Sequence, residues 1–281
     1  MDTLLDGEDR LPLTCSRTGT CCHDKAIFLN PWEIACLALE KGCSATEFRA
    51  QFTSGGGTRL RMGDSARATC SQYDPSRGCT VYPGRLLACR LFPLGRQRRG
   101  ETVGYLHRGA VFPCFNECPE VRDLPRLTVS EFLAGQGVER GEAAQDAYLD
   151  VTLEFAEGAL VLLLDTDLVV SDRETLPRWR RLGAMSDAER AASLPADWLD
   201  LLLSPEITPN PSDPRAFVAS HWELLQAREA LLPTPDSTSA LRDSSCLVMA
   251  SALHLGRGTG IDTAALAEHW CEAARRNGAK E

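Results

Sequence analysis

The chain lacks the features that would place it in or across a membrane. The Leu160–Leu164 run is cut short by Asp165 and Asp167, and no other stretch approaches the length of a span. The first fifteen residues, MDTLLDGEDRLPLTC, hold four acids and have neither the basic start nor the apolar core of a signal peptide. A cytosolic protein with no membrane contact is expected. Nucleotide and hydrolase signatures are also missing: there is no nucleophile elbow, no Walker loop and no Rossmann fingerprint. Gly55–Gly57 and Gly256–Gly260 are glycine-rich, but neither sits between a convincing strand and helix, and both read as flexible loops. No internal repeat or low-complexity tract occurs.

Basic surface is scarce where most of the chain lies. Residues 1–128 carry 17 Lys/Arg against 14 Asp/Glu, whereas 129–281 carry 13 against 25. Nucleic acid needs a basic face, and the cluster Arg96, Arg98 and Arg99 is too short to supply one, so no nucleic-acid partner is expected. The charge split suggests two units, 1–128 and 129–281, joined through the proline-bearing stretch 119–126.

Cysteine, by contrast, is abundant: there are twelve in 281 residues, ten of them before residue 119. A chain this long buries a core without staples, and a reducing cytosol keeps thiols unpaired. In an arginine-rich, bacterial-looking sequence the cysteines therefore point to metal or thiol chemistry. Eight make the candidate site: Cys15, Cys21, Cys22, Cys70, Cys79, Cys89, Cys114 and Cys118. Four thiolates close a site for zinc or for an iron–sulfur cluster. Adjacent side chains are expected to diverge, so the Cys21–Cys22 pair suits the wider surface of a cubane better than the C-x2–4-C spacing of zinc. With eight thiols the chain has enough for a second site, completed by Cys15, Cys70, Cys114 and Cys118. Arg85 and Arg90 lie in the block CTVYPGRLLACRLFP and are read as cofactor-binding, their fixed charge stabilising an anionic cluster. Tyr82–Pro83 and Phe92–Pro93 stiffen that block and give the thiolates an apolar wall.

These motifs resemble the YkgJ-type cysteine-cluster family, zinc- or iron-chelating domains with a CxxCxxCC signature. The similarity covers about residues 13–150 and includes the CC pair, the segment AIFLNPWEIACLALEKGCSATEFRAQF, the CTVYPGRLLACRLFP block and a TVSEF segment followed by Gln136. Two positions depart from the pattern. Thr18 stands for the second cysteine, leaving Cys15 or Cys70 to supply that corner, and Arg85–Leu86 replaces Arg-Pro. The resulting C-x5-CC spacing is similar to that of the flagellin lysine-N-methylases, which implies S-adenosylmethionine and protein lysine methylation as one activity.

The expected fold is mainly α with irregular loops and short strands, a cysteine-rich metal-binding region preceding a helical one. Asn30–Pro31 and Gly42 bound a helix at 31–41, and Ser44 with Glu47 caps one at 45–52. Thr128 with Glu131, Ser186 with Glu189, Asp213–Pro214 and Asp262 open further helices, the third running to about Leu232. Residues 58–118 read as loops and short strands, and 160–170 as either buried helix or strand. Cys36, Cys43, Cys246 and Cys271 are expected to be core residues, and His221 and His269 to be packing. His23 either touches the ligand set or is a plain polar neighbour. Three functions follow. The first is an iron–sulfur protein transferring electrons or supporting a reaction, with a substrate or protein partner at the acidic helical region. The second is a structural zinc module, and the third a cluster-dependent methyltransferase.

Overall fold

The computed structural model describes residues 4–14, 19–64, 66–100, 102–107, 119–164, 169, 172–229 and 237–280. Among these, helices dominate at 58% and strands are two to six residues long, so the mainly α class is met. The chain divides into two compact units, the first made of 1–27 and 61–142, the second of 28–60 and 143–281.

This division departs from a cut at 128/129 in two places. The helices Pro31–Lys41 and Ala45–Phe52 are assigned to the second unit, because their apolar residues Ile34, Leu37 and Phe48 are buried there. Arg49 pairs with Asp200 and Arg59 with Asp187, and Leu29 N–H donates to Thr58 O at 3.0 Å. Residues 129–142 belong instead to the first unit, where Val129 and Phe132 join Leu13 and Leu94 in a small core.

The first unit is held by short antiparallel pairs. Arg10–Leu11 pairs with Leu127–Thr128, Tyr73–Asp74 with Gly78–Cys79, and Leu94–Arg99 with Thr102–His107. Leu87, Leu91 and Val138 form a second cluster against Tyr105 and Leu133. Each such leucine, once buried, contributes roughly 1.5–3 kcal/mol, enough to hold loops whose backbones make few regular bonds.

In the second unit the capping residues act as the sequence predicts. Asn30 Oδ1 accepts from Glu33 N–H at 3.0 Å with Pro31 in the first turn, Ser44 and Ser186 head capping boxes, and Asp262 caps Thr263–Arg276. Thr128 heads a fourth box in the first unit. Pro214–Glu229 starts after Asp213; residues 230–232, the expected end, lie outside the described residues. The ambiguous stretch resolves as helix over 160–164, within Glu139–Leu164. Thr175–Ala184 packs on Thr238–Gly258 and on Thr263–Arg276. The second contact is so close that a Cβ at Gly183 would lie 2.6 Å from Ala267 Cβ and 2.8 Å from Thr263 O, so only glycine fits. Trp179, Trp198, Tyr148 and Phe155 fill the interior, and Trp198 Nε1–H donates to Ser251 Oγ at 2.7 Å.

Candidate metal centre

The Cys21–Cys22 pair sits in a tight helical turn, Thr20–Cys22, entered through Gly19 in the left-handed region (φ 77°). A Cβ at Gly19 would lie 2.6 Å from the Tyr73 ring, so backbone and ring can meet only because the residue is glycine. Beyond the turn the chain runs antiparallel to residues 68–70. Asp24 N–H donates to Ala68 O at 2.8 Å, Asp24 Oδ1 accepts from Ala68 N–H at 2.9 Å, and Cys70 N–H donates to Cys22 O at 2.8 Å. That ladder sets Cys70 beside the CC pair. A hairpin then returns Cys79: Asp74 Oδ1 accepts from the N–H groups of Ser76 and Arg77, and Thr80 N–H donates to Gln72 O. Cys89 lies in the short helix Leu87–Leu91, whose leucines are buried beneath it with Val81 and Leu86.

These five thiols act on one another. Cys21 and Cys22 share a hydrogen bond that, with help from a backbone N–H, Arg85 and Lys25, holds the Cys21 thiol down to about 6 despite burial. The same bond, burial, and the charges of Cys21, Cys70 and Cys89 push Cys22 far upward. Burial raises Cys70, with Cys79 and Cys21 adding to it, while the Gln72 N–H that reaches its Sγ at 3.4 Å works the other way. Although neighbouring cysteine side chains are expected to diverge, the tight turn keeps these two thiols close enough to act on each other. The adjacency of Cys21 and Cys22 therefore does not separate a cubane from a single ion.

Among the described residues no three His, Cys, Asp or Glu side chains are already disposed as a metal cage. Cys15, Cys114, Cys118 and Thr18 lie outside the described residues. The donor set nevertheless suits a cation: the bond to Cys21 and burial hold the proton on Cys22, burial holds it on Cys70, the neighbouring thiols add to both, and a metal would displace those protons. The surroundings suit an anionic thiolate centre as well. Arg85 Nε is buried without a hydrogen-bond partner, while its Nη2 donates to Gln136 Oε1 at 3.0 Å and its guanidinium lies 4.1 Å from the Tyr82 ring centre. Arg90 instead bonds backbone: Nε donates to Arg85 O, Nη1 to Gln136 O and Nη2 to Pro83 O, at 2.6–2.8 Å. Arg90 thereby positions the loop that carries Arg85. Lys25 is a neighbour that the sequence reading missed; its spacing, three residues past Cys22, was the available signal. Its Nζ stands 4.7 Å from the Phe92 ring centre and its charge bears on Cys21. His23 is occupied by Thr69 Oγ1, 3.0 Å from Nδ1, and stacks edge-on to Tyr73.

The remaining described cysteines belong to the second unit. Cys271 is fully buried and its Sγ donates to Leu176 O at 3.6 Å. Cys36 is pushed up to about 12 by burial and by Glu33 and Glu40, and Cys246 to about 11 chiefly by burial. Cys43 follows the Gly42 cap, half-buried, its N–H donating to Ala38 O. None of the nine described cysteines forms a disulfide.

No helix among the described residues is long and apolar enough to cross a membrane. No curated protein and no solved structure matches the chain, so the similarity to the flagellin lysine-N-methylases rests on the cysteine spacing alone. One family does match, over residues 14–105, and that stretch holds Cys21, Cys22, Cys70, Cys79 and Cys89 together with Lys25, Arg85 and Arg90. The cysteine-rich segment thus matches the CxxCxxCC family model, described as a putative zinc- or iron-chelating domain.

Proposed function

We propose that the first unit carries an iron–sulfur cluster, of the four-iron type, ligated by thiolates drawn from Cys21, Cys22, Cys70, Cys79 and Cys89. The observation that carries this reading is that five thiols act on one another beside Arg85 and Lys25, one more than a single tetrahedral ion takes. Cys15, Cys114 and Cys118 are further candidate ligands and would complete a second site. When bound, a cluster supplies one-electron chemistry; the protein's part is to fix the sulfurs and compensate their charge. The protein then works as an electron carrier or as an enzyme, its acidic helical unit holding a substrate or a protein partner.

The meeting of the Cys21 and Cys22 thiols favours a second reading, a structural zinc ion closed by four thiolates. Iron, acid-labile sulfide and zinc analysis of protein purified without oxygen, with electron paramagnetic resonance after dithionite reduction, separates the two. Brown protein with iron and sulfide in equal amounts supports the cluster. Colourless protein holding about one zinc and no sulfide refutes it.

A further inference from the structure

Three interactions fix the position of Arg85. Gln136 Oε1 takes its Nη2–H, the Tyr82 ring supports the plane of its guanidinium, and Arg90 Nε–H holds its backbone oxygen at 2.8 Å. Gln136 also secures Arg90, whose Nη1–H donates to the Gln136 backbone oxygen at 2.8 Å. One residue at the end of the Val129–Gln136 helix thus holds both arginines, one through its side chain and one through its main chain. This clamp leaves Arg85 Nε buried with no acceptor. An unpaired buried N–H on a cation is costly, roughly the full desolvation penalty of the group, and a rigid holder for it makes sense only if an acceptor arrives. Sulfur lies within reach of its charge: Arg85 is one of two cations that bear on Cys21.

We propose that Arg85 Nε–H is a preset donor to sulfur of the loaded metal centre, the Cys21 thiolate or a sulfide beside it, and that Gln136 is the positioning residue that aims it. This rests on the metal-centre reading but not on the choice between iron–sulfur and zinc, since either places anionic sulfur there. Lysine at 85 keeps the charge and loses the planar fork, so charge alone would predict an unchanged site and directed donation a weakened one.

The test uses the full chain purified without oxygen. Metal loss is followed with bathophenanthroline disulfonate for iron and 4-(2-pyridylazo)resorcinol for zinc. Replacing an outer-sphere hydrogen bond at a metal site typically weakens metal holding 10–100-fold. Arg85→Lys should release metal about 10–100 times faster than wild type, and Gln136→Ala should release it faster to a smaller degree. If iron is present, both should shift the midpoint potential negative, because donors to sulfur favour the reduced, more anionic state. Arg228→Ala, in the helical unit and paired there with Asp197, should change neither. Should Arg85→Lys fail to fold by circular dichroism, Gln136→Ala decides alone. Wild-type release rate and potential in the folded variants overturn the inference and leave the metal centre standing. Wild-type protein devoid of iron and zinc overturns both.

Discussion

Acid should unfold the helical unit well above the carboxylate range, through two buried histidines. His221 and His254 are both fully buried. His221 Nε2–H donates to Leu201 O and Nδ1 lies against Tyr148 O–H, each at 2.8 Å; burial disfavours the charged ring, and in the neutral ring Nδ1 accepts from Tyr148. His254 Nε2–H donates to Gly56 O at 3.2 Å, while its Nδ1 is buried without a partner. Burial pushes both down to about 4. An unfolded histidine titrates near 6.5, so between those values the unfolded chain binds protons that the folded one refuses. Stability is therefore complete above about pH 6.5 and is lost as pH falls toward 4. From pH 7 to pH 5 each ring costs about 2 kcal/mol, about 4 kcal/mol together, a large share of a typical 5–15 kcal/mol. Urea melts at pH 7, 6 and 5 measure this directly, and all five tryptophans lie in the second unit, so their fluorescence reports it. His221→Gln, which can keep both hydrogen bonds, should remove about half of the pH dependence. Stability flat to within about 0.5 kcal/mol from pH 7 to pH 5 would refute the reasoning.

Cys21→Ala, Cys22→Ala, Cys79→Ala and Cys89→Ala should each lose most of the bound metal; full metal content by elemental analysis in all four would remove them from the ligand set. Substituting Cys36, Cys43, Cys246 or Cys271 by serine should leave metal content unchanged, with Cys271→Ser costing about 1–2 kcal/mol in denaturant melts because the site is fully buried. Gly183→Ala should destabilise the helical unit by about 1–3 kcal/mol, as the new methyl meets Ala267 and the Thr263 carbonyl. An unchanged urea midpoint would show that the helices move apart freely.

Helix starts were the most legible part of the sequence, because a cap is a local device. Asn30–Pro31, Ser44, Thr128, Ser186 and Asp262 each announce their helix within four residues. Of the cysteines singled out in the sequence, Cys21, Cys22, Cys70, Cys79 and Cys89 lie in the first unit and act on one another, while Cys36, Cys43, Cys246 and Cys271 belong to the other unit. What could not be read depends on who packs against whom. Nothing local in Pro31–Phe52 says that its apolar face belongs with residues 143–281, and charge composition placed the boundary elsewhere. The tight turn that carries Cys21 and Cys22 is entered through a left-handed Gly19 lodged against Tyr73, a contact spanning 54 residues that no local pattern announces. The different tasks of Arg85 and Arg90 likewise depend on Gln136, about fifty residues downstream.

The assignment of residues 28–60 to the helical unit turns the chain's connectivity into a folding problem. The backbone passes between the units at 27/28, 60/61 and 142/143, so residues 28–60 must find their partners across the whole 61–142 stretch. Closing so long a loop costs entropy that grows with the logarithm of its length, and non-local pairing of this kind slows folding. A fragment ending at residue 128 would keep every cysteine of the metal domain yet leave Ile34, Leu37 and Phe48 without the unit that buries them. Such a fragment should aggregate through those two helices however well it binds metal, whereas ending the chain at residue 142, excising 28–60 and joining Ile27 to Arg61 would remove the liability and keep Val129, Phe132 and Val138 in the first unit's cores. The Asp24 to Ala68 hydrogen bonds already hold the chain near both ends of that junction.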